Sequence, residues 1–301
     1  MYDYDGLIRD VVQPEIEKSH FVKPWEALRA WFSEDTRPLG SSYIVRDIRT
    51  SISSNARNYT KVDVDPIAGS SVEVTAKWRK IYQETAAEVH NIDINEAAGG
   101  GLPSITSLFQ DAVAEEMNGL WSLIYADVYA QLKADLLASG TYSDAALNRS
   151  TYPTLSPWND VTDTEITIAL VRSMMYNTRL NKNTSDKSGY DIMMEPAVYY
   201  KFKPLAALLH SWTFNDKSGS DVEAGYQDLS SFEGSRLAIM QGMTTGDVFY
   251  TRKTDRLIRM HRSLEMNPVA SGRDSMKVII RCGINAYVTN VGKQGMMTNK
   301  D

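Results

Sequence analysis

Apolar residues recur at three- and four-residue steps over one stretch in the middle of the chain. The residues at these positions are Phe109, Val113, Met117, Leu120, Trp121, Ile124, Val128, Leu132 and Leu136. The pattern predicts one long amphipathic helix, from a capping box of Ser107 and Gln110 to Ser139, directly before Gly140. One face of this helix is expected to pack against other elements along a length of about 50 Å.

Four acidic residues also lie on the predicted helix: Glu115, Glu116, Asp127 and Asp135. A carboxylate site would need a partner such as histidine, and no histidine lies near them in sequence. We therefore expect these carboxylates to form a solvent-exposed outer face of the helix.

The segment before the long helix lacks the pattern of a self-contained core. Residues 6–32 are expected to form short helices, interrupted at Pro14 and Pro24. Residues 40–96 alternate between apolar and polar positions, which predicts strands around Tyr43–Ile48, Val62–Val64 and Val72–Trp78. Two such strands make a long hairpin that is poorly stable alone, so we expect neighbouring copies of the chain to stabilise its opening third.

A run of glycines separates this segment from the long helix. Gly99, Gly100 and Gly101 precede Leu102 and Pro103, whereas a phosphate-binding loop needs a Lys and a Ser or Thr in register. The run therefore predicts a hinge or turn.

The second half of the chain mixes helical and strand patterns and predicts an α+β fold. The expected elements are a helix that begins at the capping box of Thr162 and Glu165, a buried strand Tyr190–Glu195, a helix Ala197–His210 with a bend at Pro204, a surface loop Ser211–Gln227, and the strands Leu237–Met240, Asp247–Thr251, Arg256–Arg262 and Lys277–Thr289. In the last strand, apolar residues alternate from Val278 to Val288, and Ile279 on the other face indicates that part of the strand is covered on both sides.

Composition narrows the possible functions. The chain has 301 residues, of which 43% are hydrophobic, and a formal net charge of -6, which argues against a basic reader of nucleic acids. The single cysteine, Cys282, excludes an internal disulfide, is expected to be a small buried residue, and fits a reducing cytoplasm. The sequence shows no signal peptide and no apolar stretch long enough to span a bilayer.

Signatures of catalysis are missing from the sequence. The histidines His20, His90, His210 and His261 are scattered, and none has the spacing of metal ligands. GxSxG, GxGxxG and P-loop motifs do not occur. We therefore predict no catalytic, cofactor-binding or metal-binding residues; the residues alone favour a structural protein or an enzyme whose site leaves no local signature.

The closing segment, Gly246–Gly295, resembles the C-terminal part of tailed-phage major capsid proteins of the Hong Kong 97-like fold. Its sequence is GDVFYTRKTDRLIRMHRSLEMNPVASGRDSMKVIIRCGINAYVTNVGKQG. The upstream order also resembles that family: an N-terminal arm, a long hairpin known as the E-loop, a glycine joint, a spine helix, and then peripheral and axial domains. The resemblance covers most of the chain and implies an α+β Hong Kong 97-like capsid fold.

The resemblance also implies a division of the chain into domains. Residues 1–39 correspond to the arm, residues 40–98 to the E-loop, and residues 99–160 and 249–289 to the peripheral domain, with the spine helix at 107–139. Residues 161–248 and 290–301 correspond to the axial domain, whose loop Ser211–Gln227 is expected to point toward the pentamer and hexamer axes.

By this resemblance the protein is a major capsid protein. Its copies are expected to assemble through hexamers and pentamers, in the cytoplasm of a bacterial host, into the icosahedral shell of a virion. The shell would enclose the double-stranded DNA of a tailed bacteriophage, with non-specific DNA contact and no membrane partner. Portal and minor capsid or decoration proteins are further expected partners.

Two features of the family are in doubt here. Few residues precede the spine helix, which leaves no room for a cleaved scaffolding extension in addition to an arm and an E-loop; a separate scaffolding protein or a trimmed chain is implied. Some members link an E-loop lysine to an asparagine of a neighbouring subunit. The candidates by resemblance are Lys77 or Lys80 with Asn285 or Asn290.

Two alternatives remain open from sequence. An encapsulin-like bacterial nanocompartment shell shares the fold and encloses enzymes. The second alternative is an oligomeric cytosolic α+β enzyme, which would form small oligomers and have a pocket with perturbed titratable groups.

Overall fold

The computed structural model describes most of the chain. The described residues are 4–37, 43–52, 71–137, 149–150, 158–162, 164–180, 189–214, 231–240, 242–243, 246–271, 275–289 and 291–300. Among them, the α-helices are α1 (Tyr4–Leu7), α2 (Gln13–Ile16), α3 (Val22–Trp31), α4 (Asn91–Gly99), α5 (Leu102–Leu137), α6 (Ile168–Leu180) and α7 (Pro196–Phe214).

The strands of the described residues form three sheets. They are β1 (Ser33–Glu34), β2 (Tyr43–Ile52), β3 (Ser71–Arg79), β4 (Gln83–His90), β5 (Arg149–Ser150), β6 (Trp158–Asp160), β7 (Tyr190–Met194), β8 (Ser231–Phe232), β9 (Ser235–Ile239), β10 (Val248–Arg252), β11 (Arg256–Ser271), β12 (Ser275–Val288) and β13 (Gly295–Met297). The chain divides into two compact units, which are described in turn.

The first unit comprises Met1–Arg37, Lys80–Gln131 and Leu257–Tyr287. It contains a four-stranded sheet in the order β1-β11-β12-β4, in which β4 and β12 are antiparallel from Gln83↔Cys282 to His90↔Ser275. The apolar stripe of α5 is buried, from Ile105 through Val128, as the sequence predicts. Apolar residues of the helix and the sheet thus make the core of this unit.

The long helix begins earlier than its capping box indicates. Helix α5 starts at Leu102, not at Ser107, because Gly101 adopts a positive φ of 87° and ends the preceding turn. Pro103 then lies in the first helical turn, where a proline is tolerated. The glycine run is thus a turn between α4 and α5, as predicted, and residues 138–139 of the predicted helix lie outside the described part.

The N-terminal segment is helical from residue 4 to 31, and π-helical turns (Ile8–Val12 and Glu17–Phe21) link its three α-helices. Its buried apolar residues are Leu7, Ile8, Val12, Ile16, Phe21, Trp25 and Leu28. Phe21 packs against Trp121 of α5 with ring centroids 5.2 Å apart, and the Trp121 indole donates to the His20 carbonyl at 2.9 Å. Packing within the subunit therefore stabilises this segment.

Asp35 anchors the exit from the N-terminal segment. Strand β1 pairs in parallel with β11, and the backbone N–H of Asp35 donates to the carbonyl of Ile258 at 2.9 Å. The buried Asp35 carboxylate accepts a hydrogen bond from the hydroxyl of Tyr287 on β12. The C-terminal end of this segment is thus fixed to the sheet of the first unit.

The second unit comprises Pro38–Arg79, Leu132–Arg256 and Val288–Asp301. It contains a six-stranded mixed sheet in the order β6-β13-β10-β7-β9-β8. Strand β7 is buried along its whole length, as the sequence predicts for Tyr190–Glu195. Helices α6 and α7 supply apolar side chains to the same core, among them Met174, Met175, Val198 and Phe202.

A buried charge pair crosses this six-stranded sheet. Arg256 is completely buried and donates to the carboxylate of Asp191 on β7 and, at 2.8 Å, to the hydroxyl of Thr251 on β10. Burial lowers the pKa of Arg256, and the Asp191 carboxylate acts in the opposite direction. Arg236 on β9 binds the other oxygen of Asp191 at 3.1 Å. The charges therefore tie three neighbouring strands in register.

Helix α6 begins later in the chain than the sequence predicts. It begins at Ile168, with the Thr167 hydroxyl accepting from the Leu170 N–H at 3.2 Å, and not at a capping box of Thr162 and Glu165. The Thr162 hydroxyl instead bonds the Asp160 carboxylate at 2.6 Å. Helix α7 runs through Pro204 to Phe214, beyond the predicted end at His210, and residues 215–227 of the predicted surface loop lie outside the described part.

Strand pairing brings segments that are far apart in sequence into the same sheet. Residues 158–160 and 248–252 form β6 and β10 of the six-stranded sheet. Residues 83–90 pair with β12 in the four-stranded sheet. Each short strand follows the hydrogen-bond partner available to its backbone, which sequence order does not reveal.

Candidate assembly site: the hairpin and its root

Strands β2 and β3 form a long antiparallel pair in a sheet separate from the other two. Its register runs from Tyr43↔Arg79 to Ile52↔Ser71, with a bulge between Arg49 and Ser51. At about 3.3 Å per residue the ten residues of β2 span roughly 33 Å. Strand β5 pairs with β3 at Lys77 and Trp78, which leaves β2 as the edge of this three-stranded sheet. The predicted strand at Val62–Val64 lies outside the described residues.

The root of the hairpin is buried in the second unit. Ile44 and Trp78 lie opposite each other in the register, and both side chains are almost completely buried. The indole N–H of Trp78 donates to Oδ1 of Asp135 at 3.2 Å, and the backbone N–H of Val288 donates to Oδ2 of the same carboxylate at 2.8 Å. A carboxylate near the C-terminal end of α5 thus holds both the hairpin strand and the end of β12.

In the first unit, the chain that leaves β3 for β4 is held at one residue, Ile81. Asn285 accepts the backbone N–H of Ile81 through Oδ1 at 3.0 Å. Nε2 of His261 lies 2.9 Å from the carbonyl oxygen of Ile81, and since a carbonyl oxygen only accepts, Nε2 carries the proton of this bond. Side chains of two neighbouring strands, Asn285 on β12 and His261 on β11, therefore bind the backbone N–H and the carbonyl of Ile81.

Side-chain amides extend this polar network along β12 beyond the end of β4. The Gln83 amide bonds both backbone groups of Ile284, at 3.0 Å to the N–H and 3.1 Å to the carbonyl. Oε1 of Gln131 accepts the backbone N–H of Ala286 at 3.0 Å and the Asn285 amide at 3.1 Å. With Asp135 on Val288, three alternate N–H groups of β12 are bonded to side chains, which shields the strand from pairing with another chain.

The acidic residues of α5 do not form the outer face that we expected. Asp135 is fully buried in the bonds described above, and Glu116 accepts from the Thr85 hydroxyl at 2.6 Å. Asp127 is half-buried and accepts from Gln83 at 2.9 Å; burial raises the pKa of its carboxyl, and the bond from Gln83 opposes this. Only Glu115 among the four is exposed. Asp127, Gln131 and Asp135 follow one another at four-residue steps and therefore lie on one face of the helix. This spacing was the signal available in the sequence.

The closing strand agrees with its apolar pattern and goes beyond it. The residues from Val278 to Val288 at alternate positions are fully buried, Cys282 among them, and burial raises the pKa of the Cys282 thiol to about 12. The opposite face is also buried from Gly283 to Tyr287, whereas Ile279 is only half-buried. The strand is therefore covered on both faces, but nearer to its C-terminal end than the position of Ile279 indicated.

The lysines and asparagines that the resemblance nominates for a crosslink behave differently from one another. Asn285 is 1% exposed and bonds Ile81 and Gln131 within its own subunit, so it is not presented to a neighbour. Lys80 is half-buried. The Lys77 side chain and Asn290 lie outside the described part of the structure.

The four histidines lie on separate elements of the chain. His20 and His90 are exposed to different extents on separate elements, His210 lies in α7, and His261 binds the Ile81 carbonyl. Within the described residues, no group of three or more His, Cys, Asp or Glu side chains is arranged to hold a metal ion. No helix among those residues is both long and apolar enough to cross a membrane.

Comparison with known proteins gives matches at the level of structure. No protein-family profile and no curated protein matches the sequence. The solved structures that match include "Capsid of native GTA particle computed with C5 symmetry" (9% identity, TM-score 0.58, 91% of this chain and 90% of that chain). They also include a cyanophage A-1(L) capsid (10%, TM-score 0.58, 91% and 92%) and a virus-like particle from Pyrococcus furiosus (11%, TM-score 0.55, 98% and 100%).

These matches establish the fold. The chain has the α+β Hong Kong 97-like capsid fold, and the likeness extends over nearly the full length of each matched chain. The fold class expected from the sequence is confirmed.

Proposed function

We propose that this protein is a major capsid protein whose copies assemble through hexamers and pentamers into an icosahedral shell around the double-stranded DNA of a tailed bacteriophage. The observation that carries the proposal is the shared fold along 91% of this chain and about nine-tenths of two capsid chains.

The hairpin supports self-assembly physically. Strand β2 is a ten-residue sheet edge, and an edge of this length can bind another chain through backbone hydrogen bonds or pack its faces on a neighbour. By contrast, the edge of β12 beyond β4 is closed by side-chain amides and carboxylates. We propose that contacts between copies are directed to the hairpin and away from the central sheet.

The further roles follow from the proposed function. We assign the spine role to α5, the E-loop role to β2 and β3 with the intervening residues, the peripheral domain to the four-stranded sheet and the axial domain to the six-stranded sheet. A separate scaffolding protein, a portal, and minor or decoration proteins are the expected partners, and assembly takes place in the bacterial cytoplasm. DNA contact is non-specific, since cations that accompany the genome can neutralise its charge beside an acidic subunit.

The proposed role is structural and not catalytic. The polar groups of the hairpin root are engaged in hydrogen bonds to backbone and amide groups, which position strands. The thiol of Cys282, with a pKa of about 12, is a poor nucleophile at neutral pH.

Electron microscopy of the full chain, expressed alone and with the products of neighbouring genes, tests the proposal. Closed shells, sheets, or rings of five and six subunits support it. Nuclease-protected DNA inside particles from infected cells selects a virus. Monomers or small oligomers under all these conditions would contradict the shell proposal and favour an oligomeric enzyme.

A shell that encloses protein instead of a genome is the second candidate. The specific observation is the match to the virus-like particle from Pyrococcus furiosus, which covers 98% of this chain and 100% of that one. Particles that contain a co-purified enzyme and no nuclease-protected DNA would select this candidate.

A further inference from the structure

The short strand β13 lies inside the six-stranded sheet of the second unit, between β6 and β10. It has only three residues, Gly295–Met297, which pair in parallel with β6 and antiparallel with β10. So short a strand makes few ladder hydrogen bonds, although both of its neighbours in the sheet depend on it. The contacts of the flanking residues therefore decide how firmly β13 is held.

A buried amide fixes the N-terminal flank of β13. Gln294 is completely buried, and its Oε1 accepts the backbone N–H of Arg252 at 2.9 Å while its Nε2 donates to the Asp255 carboxylate at 3.0 Å. The Gln294 carbonyl accepts the N–H of Trp158, at the start of β6, at 3.1 Å. This flank is thus held as buried polar groups usually are, by hydrogen bonds to backbone and side chains.

A buried ammonium group holds the C-terminal flank. Lys300 is completely buried, which is rare for a lysine unless its charge is paired. Its Nζ lies 3.3 Å from Oδ2 of Asp160, 2.5 Å from the carbonyl oxygen of Thr162, 3.2 Å from the Thr162 hydroxyl and 3.1 Å from the Thr164 hydroxyl. Four oxygen atoms therefore surround a nitrogen that carries three N–H donors.

The backbone at Lys300 is positioned independently of its side chain. The Lys300 N–H donates to the Gly246 carbonyl at 2.9 Å, and Lys300 forms an isolated parallel bridge with Thr164. Gly246 has a φ of 85°, and a Cβ atom there would clash with the backbone of Asn299 and Lys300. The chain thus passes so close to Gly246 that the point from which the lysine side chain starts is fixed.

The oxygen atoms around the ammonium are also oriented to accept. Both the N–H and the hydroxyl of Thr162 donate to Oδ1 of Asp160, at 3.0 and 2.6 Å, which leaves Oδ2 and the hydroxyl oxygen for Lys300. Burial acts to raise the pKa of the Asp160 carboxyl, but hydrogen bonds from Thr162 and Lys300 hold it below its usual value. One carboxylate and three neutral oxygens therefore match a single positive charge.

We propose that Asp160, Thr162 and Thr164 form a binding site for a monovalent cation, and that the ammonium of Lys300 is its built-in occupant, which locks β13 between β6 and β10. A chain that lacks this ammonium should bind a free primary ammonium ion in its place. The inference goes beyond the proposed shell function. It concerns one unit of a single subunit, so it can fail while the shell proposal stands.

The donor set of the site favours an ammonium over a divalent metal ion. A calcium ion takes about six to eight oxygen ligands, commonly with several carboxylates, and magnesium requires an octahedral shell. The four oxygens here include a single carboxylate and lie at distances from Nζ that suit N–H donors. The expected ligand is therefore a primary ammonium ion that is narrow enough to follow the path of the lysine side chain.

Chemical rescue of the full-length Lys300→Ala variant tests the cation site. The added compounds are n-propylammonium, which supplies the atoms that the variant lacks, tetramethylammonium, which has the charge but no N–H donor, and 1-propanol, which has the length but no charge. We expect the variant to have a lower Tm than the wild type, and only n-propylammonium to raise it. The wild type should not respond. No response of the variant to n-propylammonium, or equal responses to all three compounds, would overturn the proposal.

A refolding measurement replaces the thermal one if Lys300→Ala does not fold in plain buffer. The soluble yield after refolding should then rise with n-propylammonium and not with tetramethylammonium, and equal yields would count against the site. Addition of Asp160→Asn to Lys300→Ala should abolish the response in either assay, because the site then lacks its anion. A response that persists at full strength would show that the ammonium binds elsewhere.

Hydrogen exchange tests whether the ammonium locks β13. Lys300→Met keeps the length of the side chain and removes its charge and donors. Residues 294–300 of this variant should exchange about ten- to a hundredfold faster than in the wild type, whereas β7 in the same sheet should keep its protection. Lys201→Ala, which removes an exposed lysine of α7, is the control and should change neither. Unchanged exchange of residues 294–300 in Lys300→Met would contradict the lock.

Discussion

The two compact units of this subunit hold their elements in register by different means. In the first unit, side chains of α5 and β4 bind the backbone of β12, through Gln131 and Gln83. In the second unit, buried charges such as Arg256 and Asp191 cross the sheet, and the core around them is rich in methionine. Directional hydrogen bonds fix the first unit, whereas a pliable core with a few ionic ties forms the second.

The two units also differ in the number of buried methionines. Among the residues that the structure describes, eight buried methionines lie in the second unit and two in the first. Those of the second unit are Met174, Met175, Met193, Met194, Met240, Met243, Met296 and Met297, and those of the first are Met117 and Met266. Methionine side chains are flexible and adapt to irregular space. We therefore expect the core of the second unit to adapt to substitutions more readily than that of the first.

The buried pair of the second unit should be the most sensitive point. Arg256→Met leaves the Asp191 carboxylate buried with one cation fewer, and should lower the free energy of unfolding by about 3–5 kcal/mol in urea titrations. Replacing both residues, with Asp191→Leu added, should recover much of this loss. Arg172→Met, which breaks an ion pair with about half of the arginine exposed, should cost at most about 1 kcal/mol. Equal losses for Arg256→Met and Arg172→Met would contradict the role of the buried pair.

The amide ladder of the first unit should come next. Gln131→Leu removes the acceptor that Asn285 and the Ala286 N–H use, and should cost about 2–3 kcal/mol in the same titrations. Glu115→Leu, on an exposed position of the same helix, is the matched control and should change stability by less than about 0.5 kcal/mol. A loss no larger than that of the control would show that the ladder does not fix the register of β12.

Equivalent core substitutions in the two units sharpen the comparison further. Met194→Leu and Met117→Leu conserve volume and should each cost less than about 1.5 kcal/mol. The loss should be smaller for Met194, because Met174, Met175 and Met297 in its cluster can adjust to the new shape. Thermal unfolding of the two variants gives the order, and a larger loss at Met194 would argue against an adaptable core.

Asp127 should give the smallest effect, and one that depends on pH. Burial raises the pKa of its carboxyl in the folded protein, so its contribution to stability is greatest below the unfolded value near 3.8 and is lost as the pH rises through the folded value. Asp127→Asn keeps an oxygen acceptor for Gln83 and should be slightly more stable than the wild type at pH 7. Urea titrations at pH 4 and pH 7 measure the difference, which should shrink at the lower pH. A variant that is less stable at pH 7 would mean that the charge itself is favourable.

Periodicity in the sequence predicted the elements that are defined by their own apolar face. The long helix, the buried strand at Tyr190 and the alternation in β12 were all found where expected, because each is encoded by residues close together in the chain. The polar contacts were not predictable in this way. Asp135 and Val288 are 153 residues apart. The spacing of Asp127, Gln131 and Asp135 places them on one helix face, but it does not reveal which strand they bind. The packing of residues 4–31 within their own subunit was likewise not predicted, because these short helices acquire a core only by contact with α5.

The molecular mass of the full chain, compared with that of a variant with a shortened hairpin, tests the central claim most directly. Residues 47–75 are replaced by a two-residue Asn-Gly turn, which keeps Ile44 and Trp78 at the root. Light scattering after size exclusion should give megadalton particles for the wild type and folded monomers or small oligomers for the variant. A wild-type chain that remains small with all its candidate partners, or a variant that forms the same particles, would contradict assembly through the hairpin.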